Sequence, residues 1–138
     1  MSKPEIEALL ERVKAATGRE IALEREIMCT IGGWHRLSPL QHPRNHKHPM
    51  FVDTREGYSS HEGQTLYRDV PRIMESIDAA LALVERKLPG WWWLREDGQS
   101  IRLVGPDNGD CYPSAVGRHH LVPLAILAAL LTALEAQP

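Results

Sequence analysis

Residues 76–94 read SIDAALALVERKLPGWWWL, and the period changes halfway through: the first half repeats at the spacing of a helix, the second at that of a strand. Ser76 is placed to cap a helix, because its hydroxyl accepts from N–H groups the first turn leaves unpaired, and Asp78 complements the positive end of the helix dipole. Ile77, Ala80, Leu81, Val84 and Leu88 share one face, which is the predicted buried side, while Glu85, Arg86 and Lys87 are expected to face water. Pro89-Gly90 stops the helix. A strand then runs from Trp91 to Arg95, turns at Asp97-Gly98 and returns from Ser100 to Val104. Alternation puts Trp91, Trp93 and Arg95 on one side and Trp92 and Leu94 on the other. Indoles on both sides predict a sheet covered by helices on both faces. An exposed Trp91 or Trp92 would instead mark an interaction hot spot.

Toward the C-terminus, GPDNG at 105–109 is a second turn, and a last strand is expected around Cys111 and Tyr112. After Pro113 and Gly117 comes LVPLAILAALLTAL, residues 121–134. This run is shorter than the roughly 20 residues that span a bilayer, so it reads as a helix lying deep in the core. Toward the N-terminus, Ser2, Pro4 and Glu5 form a helix start, with a capping residue, a proline in the first turn and a glutamate three positions on. Ile6, Leu9, Leu10 and Val13 follow at helical spacing up to Gly18, read as the C-cap. A second helix carries Ile21, Leu23, Ile27, Cys29 and Ile31 and ends at Gly32-Gly33.

The 138 residues suit one domain, divided into a helix pair (1–33), a loop-rich insertion with short strands (34–70) and a helix-hairpin-helix core (71–138). The expected class is α/β in the α+β sense: a small antiparallel sheet between helices, in α/β/α layers, with a long His/Pro-rich central loop. Sixteen basic against eighteen acidic residues leave a net charge of −2, so no global field draws the chain to nucleic acid or membrane. Charges in MSKPEIEALLERV stand where a signal peptide needs an apolar stretch, and the expected location is cytoplasmic. In that reducing setting Cys29 and Cys111 are expected as buried thiols rather than a disulfide.

The segments ESIDAALALVERKLPGWWWL, CYPSAVGRHHL and LAILAALLTALEA, with LLERVKAATGREIALEREI ahead of them, resemble the phage ABA sandwich domain family of small bacteriophage and prophage proteins. The likeness lies in a Ser-x-Asp-Ala-Ala-x-x-Leu helix, a Gly-Trp strand, a hairpin and an Ala/Leu-rich final helix, and it covers about two thirds of the chain. It implies an α/β/α fold and a phage setting. These are packing signatures, so it implies no active site.

Chemistry-bearing residues gather in the middle. Prolines 39, 43 and 49 and five histidines replace any hydrophobic period between Trp34 and Arg68, where strands are short: Trp34 to Leu37, Phe51-Val52 and Leu66 to Val70. Long loops inside small domains are commonly functional. His42, His46 and His48 are candidate metal ligands, with Cys29, His35, His61 and the His119-His120 pair as further donors, although the spacing matches no standard zinc motif. Solvated loop histidines are the simpler reading. Cys111 near His119 and His120 lacks a positioned base by sequence alone, so a buried thiol is favoured over a nucleophile. Asp107 and Asp110, like Glu96 and Asp97, read as turn formers.

Between Trp34 and Arg68 there are five Lys or Arg residues and three acids, with Trp34, Phe51, Tyr58 and Tyr67 interspersed. A nucleic-acid surface shows a denser basic stripe, so nucleic acid is disfavoured as a partner. The resulting expectation is a non-enzymatic phage accessory protein that binds a host protein, with an inhibitor of a bacterial defence such as CRISPR as its concrete form. The candidate binding residues are Trp34, Arg36, Arg44, His46, Lys47, Phe51, Arg55, Tyr58 and Trp92. No cofactor and no membrane contact are expected, and an open sheet edge makes a homodimer a further expectation. Two alternatives stay open: a protein that sequesters a small nucleotide in a basic pocket, and a metal-dependent enzyme using the histidines.

Overall fold

The structure, a computed structural model, describes residues 2–37, 50–54, 66–109 and 111–137. In chain order these form α1 (Lys3–Ala15), α2 (Ile21–Thr30), β1 (Trp34–Arg36), β2 (Phe51–Asp53), α3 (Ile77–Lys87), β3 (Trp92–Arg95), β4 (Ser100–Val104), β5 (Ser114–Arg118) and α4 (Val122–Ala136). The class is α+β, with β1 and β2 in one small antiparallel sheet and β3-β4-β5 in another. Among the described residues no helix is long and apolar enough to cross a membrane.

Helix α4 is the centre of the molecule. Its apolar residues run right round the helix, so it must be enclosed rather than laid on a surface, and Leu124 through Leu131, with Ala133 and Leu134, are buried. It packs on β4 and β5, and α1 and α3 pack against it. The last strand is not at Cys111 and Tyr112 but at Ser114–Arg118, pairing Ile101 with Gly117 and Leu103 with Ala115. Gly117 is therefore a strand residue rather than a turn before the helix. It lets the β5 backbone rest on the α4 backbone, because a Cβ there would fall on the Ala125 carbonyl oxygen and the Ala129 nitrogen. The alanines of α4 supply the other half of this close approach.

Helix α1 starts as its sequence predicts, with Ser2 and Glu5 forming a reciprocal capping box and Ile6, Leu9, Leu10 and Val13 buried. It ends at Ala15 with Ala16 extended, so Gly18 is not its cap. In α2 the buried face is Leu23, Glu24, Ile27 and Met28, whereas Ile21 is 46% exposed. Cys29 and Cys111 are free and exposed, not buried. Burial of the Glu24 carboxylate is made tolerable by full pairing: Arg19 donates to Oε1 through Nε (3.0 Å) and Nη2 (2.8 Å), and the Met74 N–H donates to Oε2 at 3.0 Å. Asp69 extends the cluster, accepting from Arg25 Nε at 2.9 Å and from its neighbour Val70 N–H at 2.8 Å.

Partial burial by itself would raise the Asp69 carboxyl, but the Arg25 and Val70 hydrogen bonds and the charges of Arg25 and Arg19 outweigh it and hold the group below its ordinary range. A carboxylate whose folded pKa is depressed adds stability above its unfolded value of about 3.9, and that stability is lost as pH falls through the folded value. Thermal stability should thus be flat on this account from neutrality to about pH 5 and fall below about pH 4. Asp69→Asn should lower the neutral-pH melting temperature and shrink that acid loss; an unchanged acid limb would remove Asp69 from the account.

Helix α3 has its Ser76 cap, with Ser76 Oγ accepting from the Ala79 N–H at 3.2 Å, but its face is turned from the expected one. Ala80, Leu83 and Val84 are buried with Leu88, while Ile77 is 43% exposed and Leu81 only half-buried. Arg86, expected in water, turns inward instead. Its Nη2 donates to the buried Asp53 at 2.9 Å and ties α3 to the small sheet. Gly33, at φ +75°, leaves the space the Arg86 guanidinium needs. The segment expected as a strand over Leu66 to Val70 forms a single bridge, Tyr67 to Phe51.

Candidate functional site

Strand β3 pairs with β4 in the register Trp92 to Val104, Trp93 to Leu103, Leu94 to Arg102 and Arg95 to Ile101. Ile101 and Leu103 point to α4 and are buried, so Trp93 and Arg95 share the helix side, and Trp92, Leu94, Arg102 and Val116 share the other. On that second side Arg102 pairs with Glu96 and donates to Ser114 Oγ at 3.0 Å. Those polar contacts sit among Leu94 and Val116, both half-buried, and Trp92, which is 53% exposed. The result is an apolar face with an oriented ion pair across it.

The expectation that helices cover both sides of the tryptophan strand is corrected here. Trp93 is also 45% exposed, because β3 is an edge strand and α4 lies under β4 and β5 instead. Trp91 alone packs against the core. Its ring occupies the space beside Gly105, where a Cβ would stand 2.6 Å from it, and Pro113 closes the other side. Three adjacent indoles thus have three environments. The sequence singles out Trp92 but not its neighbours Arg102, Glu96 and Val116; alternation across the hairpin groups Arg102 and Glu96 with it, whereas Val116 joins only through the β5 register.

The other sequence candidates do not converge on this face. Trp34 is buried and meets Tyr67 edge-to-face at 5.0 Å, and Phe51 is fully buried beneath the Arg25 guanidinium, 5.3 Å from its ring centre. Both are core residues, unable to stack on a base as they stand. Arg36 is exposed and borders a cleft of ≈330 Å³ with Ala22, Arg25, Glu26, Cys29 and Phe51. Cys29 is exposed as a residue, but partial desolvation of its thiol pushes that group up, with the Arg36 backbone and the charges of Arg36 and Arg25 opposing the rise. Arg44, His46, Lys47, Arg55 and Tyr58, and the metal candidates His42 and His48, lie outside the described residues, as does His61.

Among the described residues no three His, Cys, Asp or Glu side chains are arranged to hold a metal ion. His119, a suggested donor, has both ring nitrogens engaged. Nε2 lies 2.7 Å from the Ala16 carbonyl oxygen, and Nδ1 accepts from the Leu121 N–H at 3.0 Å, which sets the tautomer as Nε2–H. The ring fastens the start of α4 to the end of α1, with His120 stacked on it at 4.5 Å. Asp97 and Asp107 are turn formers as expected, accepting from the Gln99 N–H at 2.7 Å and the Gly109 N–H at 2.9 Å, but Glu96 serves the ion pair instead. The chain matches no protein-family model, no curated protein and no solved structure.

Proposed function

We propose that this protein acts by binding another protein through the open face of the β3-β4-β5 sheet, with Trp92 as its anchor. The carrying observation is the exposure of Trp92, 53%, on a face that also presents Leu94, Val116 and Arg102. Indole and guanidinium groups dominate binding energy at protein interfaces, since each buries a large rigid surface and keeps a directional polar contact. The Arg102-Glu96 pair holds that guanidinium in place beforehand, which reduces the ordering cost of association.

The resemblance to the phage sandwich family supports a phage or prophage origin and a bacterial host protein as the partner, with inhibition of a host defence, CRISPR among them, as the role. In this reading the partner supplies the third layer of the α/β/α arrangement by covering the face that the described helices leave open. The test is capture from a bacterial lysate with wild-type protein and Trp92→Ala as paired baits. A loss of roughly thirtyfold in affinity for the captured protein is expected, the scale of a 2 kcal/mol hot spot. Equal capture by both baits, or none by the wild type, would overturn the reading.

The cleft between Arg25 and Arg36 favours a second reading, a small-nucleotide binder, because its ≈330 Å³ falls within the range of small-ligand sites. Arg25 is already paired with Asp69, which leaves Arg36 to meet a phosphate. Calorimetric titration with a panel of nucleotides, with Arg36→Ala as control, decides this reading independently of Trp92.

A further inference from the structure

Among the described residues the outer edge of β3 has no strand beside it, and its backbone directions specify how one would pair. The Glu96 N–H donates to the Ser100 carbonyl, and hydrogen bonding in an antiparallel ladder alternates along the strand. Leu94 and Trp92 therefore also turn their backbone groups toward β4, while Trp93 and Arg95 turn theirs away, to the edge. The Trp91 N–H is already used by the Leu88 carbonyl at 3.1 Å, leaving its carbonyl oxygen for the edge. An edge this regular, with an indole 45% exposed on it, is a template for another strand.

We infer that the added strand is β3 of a second copy of this chain, paired antiparallel about a twofold axis through Trp93. A twofold axis perpendicular to the sheet keeps each face with its like, so residues facing each other across the axis must have the same parity. The edge-directed backbone groups then allow an axis at Trp91, Trp93 or Arg95. An axis at Arg95 sets two guanidinium groups directly opposite each other, which is destabilising, and one at Trp91 meets an N–H already bonded to Leu88. Only Trp93 remains.

In this register the two Trp93 residues exchange N–H to C=O bonds, and each Arg95 N–H donates to the second copy's Trp91 carbonyl. Trp92 comes to lie opposite the second copy's Leu94 on the open face. On the helix side, Arg95 of one copy stands opposite Trp91 of the other. There it enters a groove of ≈380 Å³ lined by Leu81, Val84, Glu85, Gly90, Trp91 and Trp93. That groove offers a cation what it needs, an indole face and the Glu85 carboxylate. Arg95 is free to move there, because its present bonds are two 3.2 Å contacts to carbonyl oxygens of its own exposed turn, Asp97 and Gly98. The two half-exposed indoles supply roughly 200 Å² per copy, about a quarter of the ~800 Å² per partner of a standard interface, with the groove walls and strand backbone extending it.

Sedimentation equilibrium on the full chain tests this. The wild type should show a reversible monomer–dimer equilibrium, and Trp93→Lys, which places two ammonium groups on the axis, should run as a folded monomer. In a Cys29→Ser, Cys111→Ser background, Trp93→Cys should oxidise to a covalent dimer, since facing residues in a hydrogen-bonded pair lie about 5.5 Å apart between Cα atoms, inside the disulfide range. Trp92→Cys should crosslink several-fold less. A wild type that stays monomeric up to about 1 mM, where even an association of about −4 kcal/mol would show as dimer, overturns the proposal, as does equal crosslinking at 92 and 93. Neither result touches the Trp92 reading, which lysate capture judges separately.

Discussion

Replacing Gly117 by alanine is expected to leave little or no soluble folded protein. The added methyl would point into the backbone of α4, inside contact distance of the Ala125 oxygen and the Ala129 nitrogen and 3.0 Å from the Ala128 carbonyl carbon. No rotamer change relieves such a clash, because the obstructing atoms belong to a helix buried on all sides. Overpacking of a core that can adjust costs about 1–3 kcal/mol, and here β5 must separate from α4 as a unit, so the loss should exceed that range. Against a total stability of about 5–15 kcal/mol for a small domain, the variant should unfold at far lower urea or fail to accumulate. Trimming Ala129 to glycine in the same chain should not rescue it, since the collision is with main-chain atoms. Rescue by that second change would show that side-chain crowding is the cause instead.

Removing the Glu24 carboxylate should have the next largest effect. Glu24→Ala strands the Arg19 guanidinium, whose side chain is 21% exposed, and leaves the Met74 N–H without its acceptor in the interior. Breaking one side of a buried pair costs about 3–5 kcal/mol, mostly as the penalty of the charge left behind. Asp69 and Glu75, at 3.7 and 3.6 Å from Arg19, would recover part of it. Glu24→Gln keeps an acceptor for Met74 and should lose less. Urea unfolding of Glu24→Ala, Arg19→Ala and the double variant would show the coupling: the double should be less destabilised than the sum of the singles. Additive losses would mean that Glu24 is stabilised by burial of its stem rather than by pairing.

Both effects fall on residues whose role the chain's periodicity conceals. Gly117 follows a proline and precedes an apolar helix, so local chemistry reads it as punctuation; only the approach of α4 makes it a packing residue. Glu24 sits at i+3 from Ile21, and hydrophobicity favours burying Ile21. Burial of Glu24 depends on Arg19 and on a backbone N–H fifty residues away, and no local pattern encodes either. The same reason explains α3, where the sequence predicts Ile77 and Leu81 inward and Arg86 outward and gives Leu83 no place on the buried face. A helix this rich in Ala and Leu offers more than one plausible apolar stripe, and the Asp53 carboxylate across the structure decides which way it rolls.

The candidate site was legible in part. The sequence names Trp92 and assigns its face through alternation, but it predicts that face covered and treats exposure only as what would mark a hot spot. Trp34 and Phe51 were grouped with it on aromatic character alone and proved to be core, because aromatic rings carry the same signal whether they bind partners or fill the interior.

What the amino-acid sequence determined by itself was the existence and order of the main elements: the capped α1, the helix after Ser76, the Pro-Gly stop, the tryptophan hairpin and the apolar final helix. These follow from short-range rules, namely capping, period and turn chemistry, which act within a few residues. What only the tertiary structure decided was which face of each element is covered. By lying under β4 and β5 and not under β3, α4 leaves Trp93 half-exposed beside a half-buried Trp91, while Trp92 stands on the opposite face, which no described helix covers, so a stretch that reads as core becomes surface.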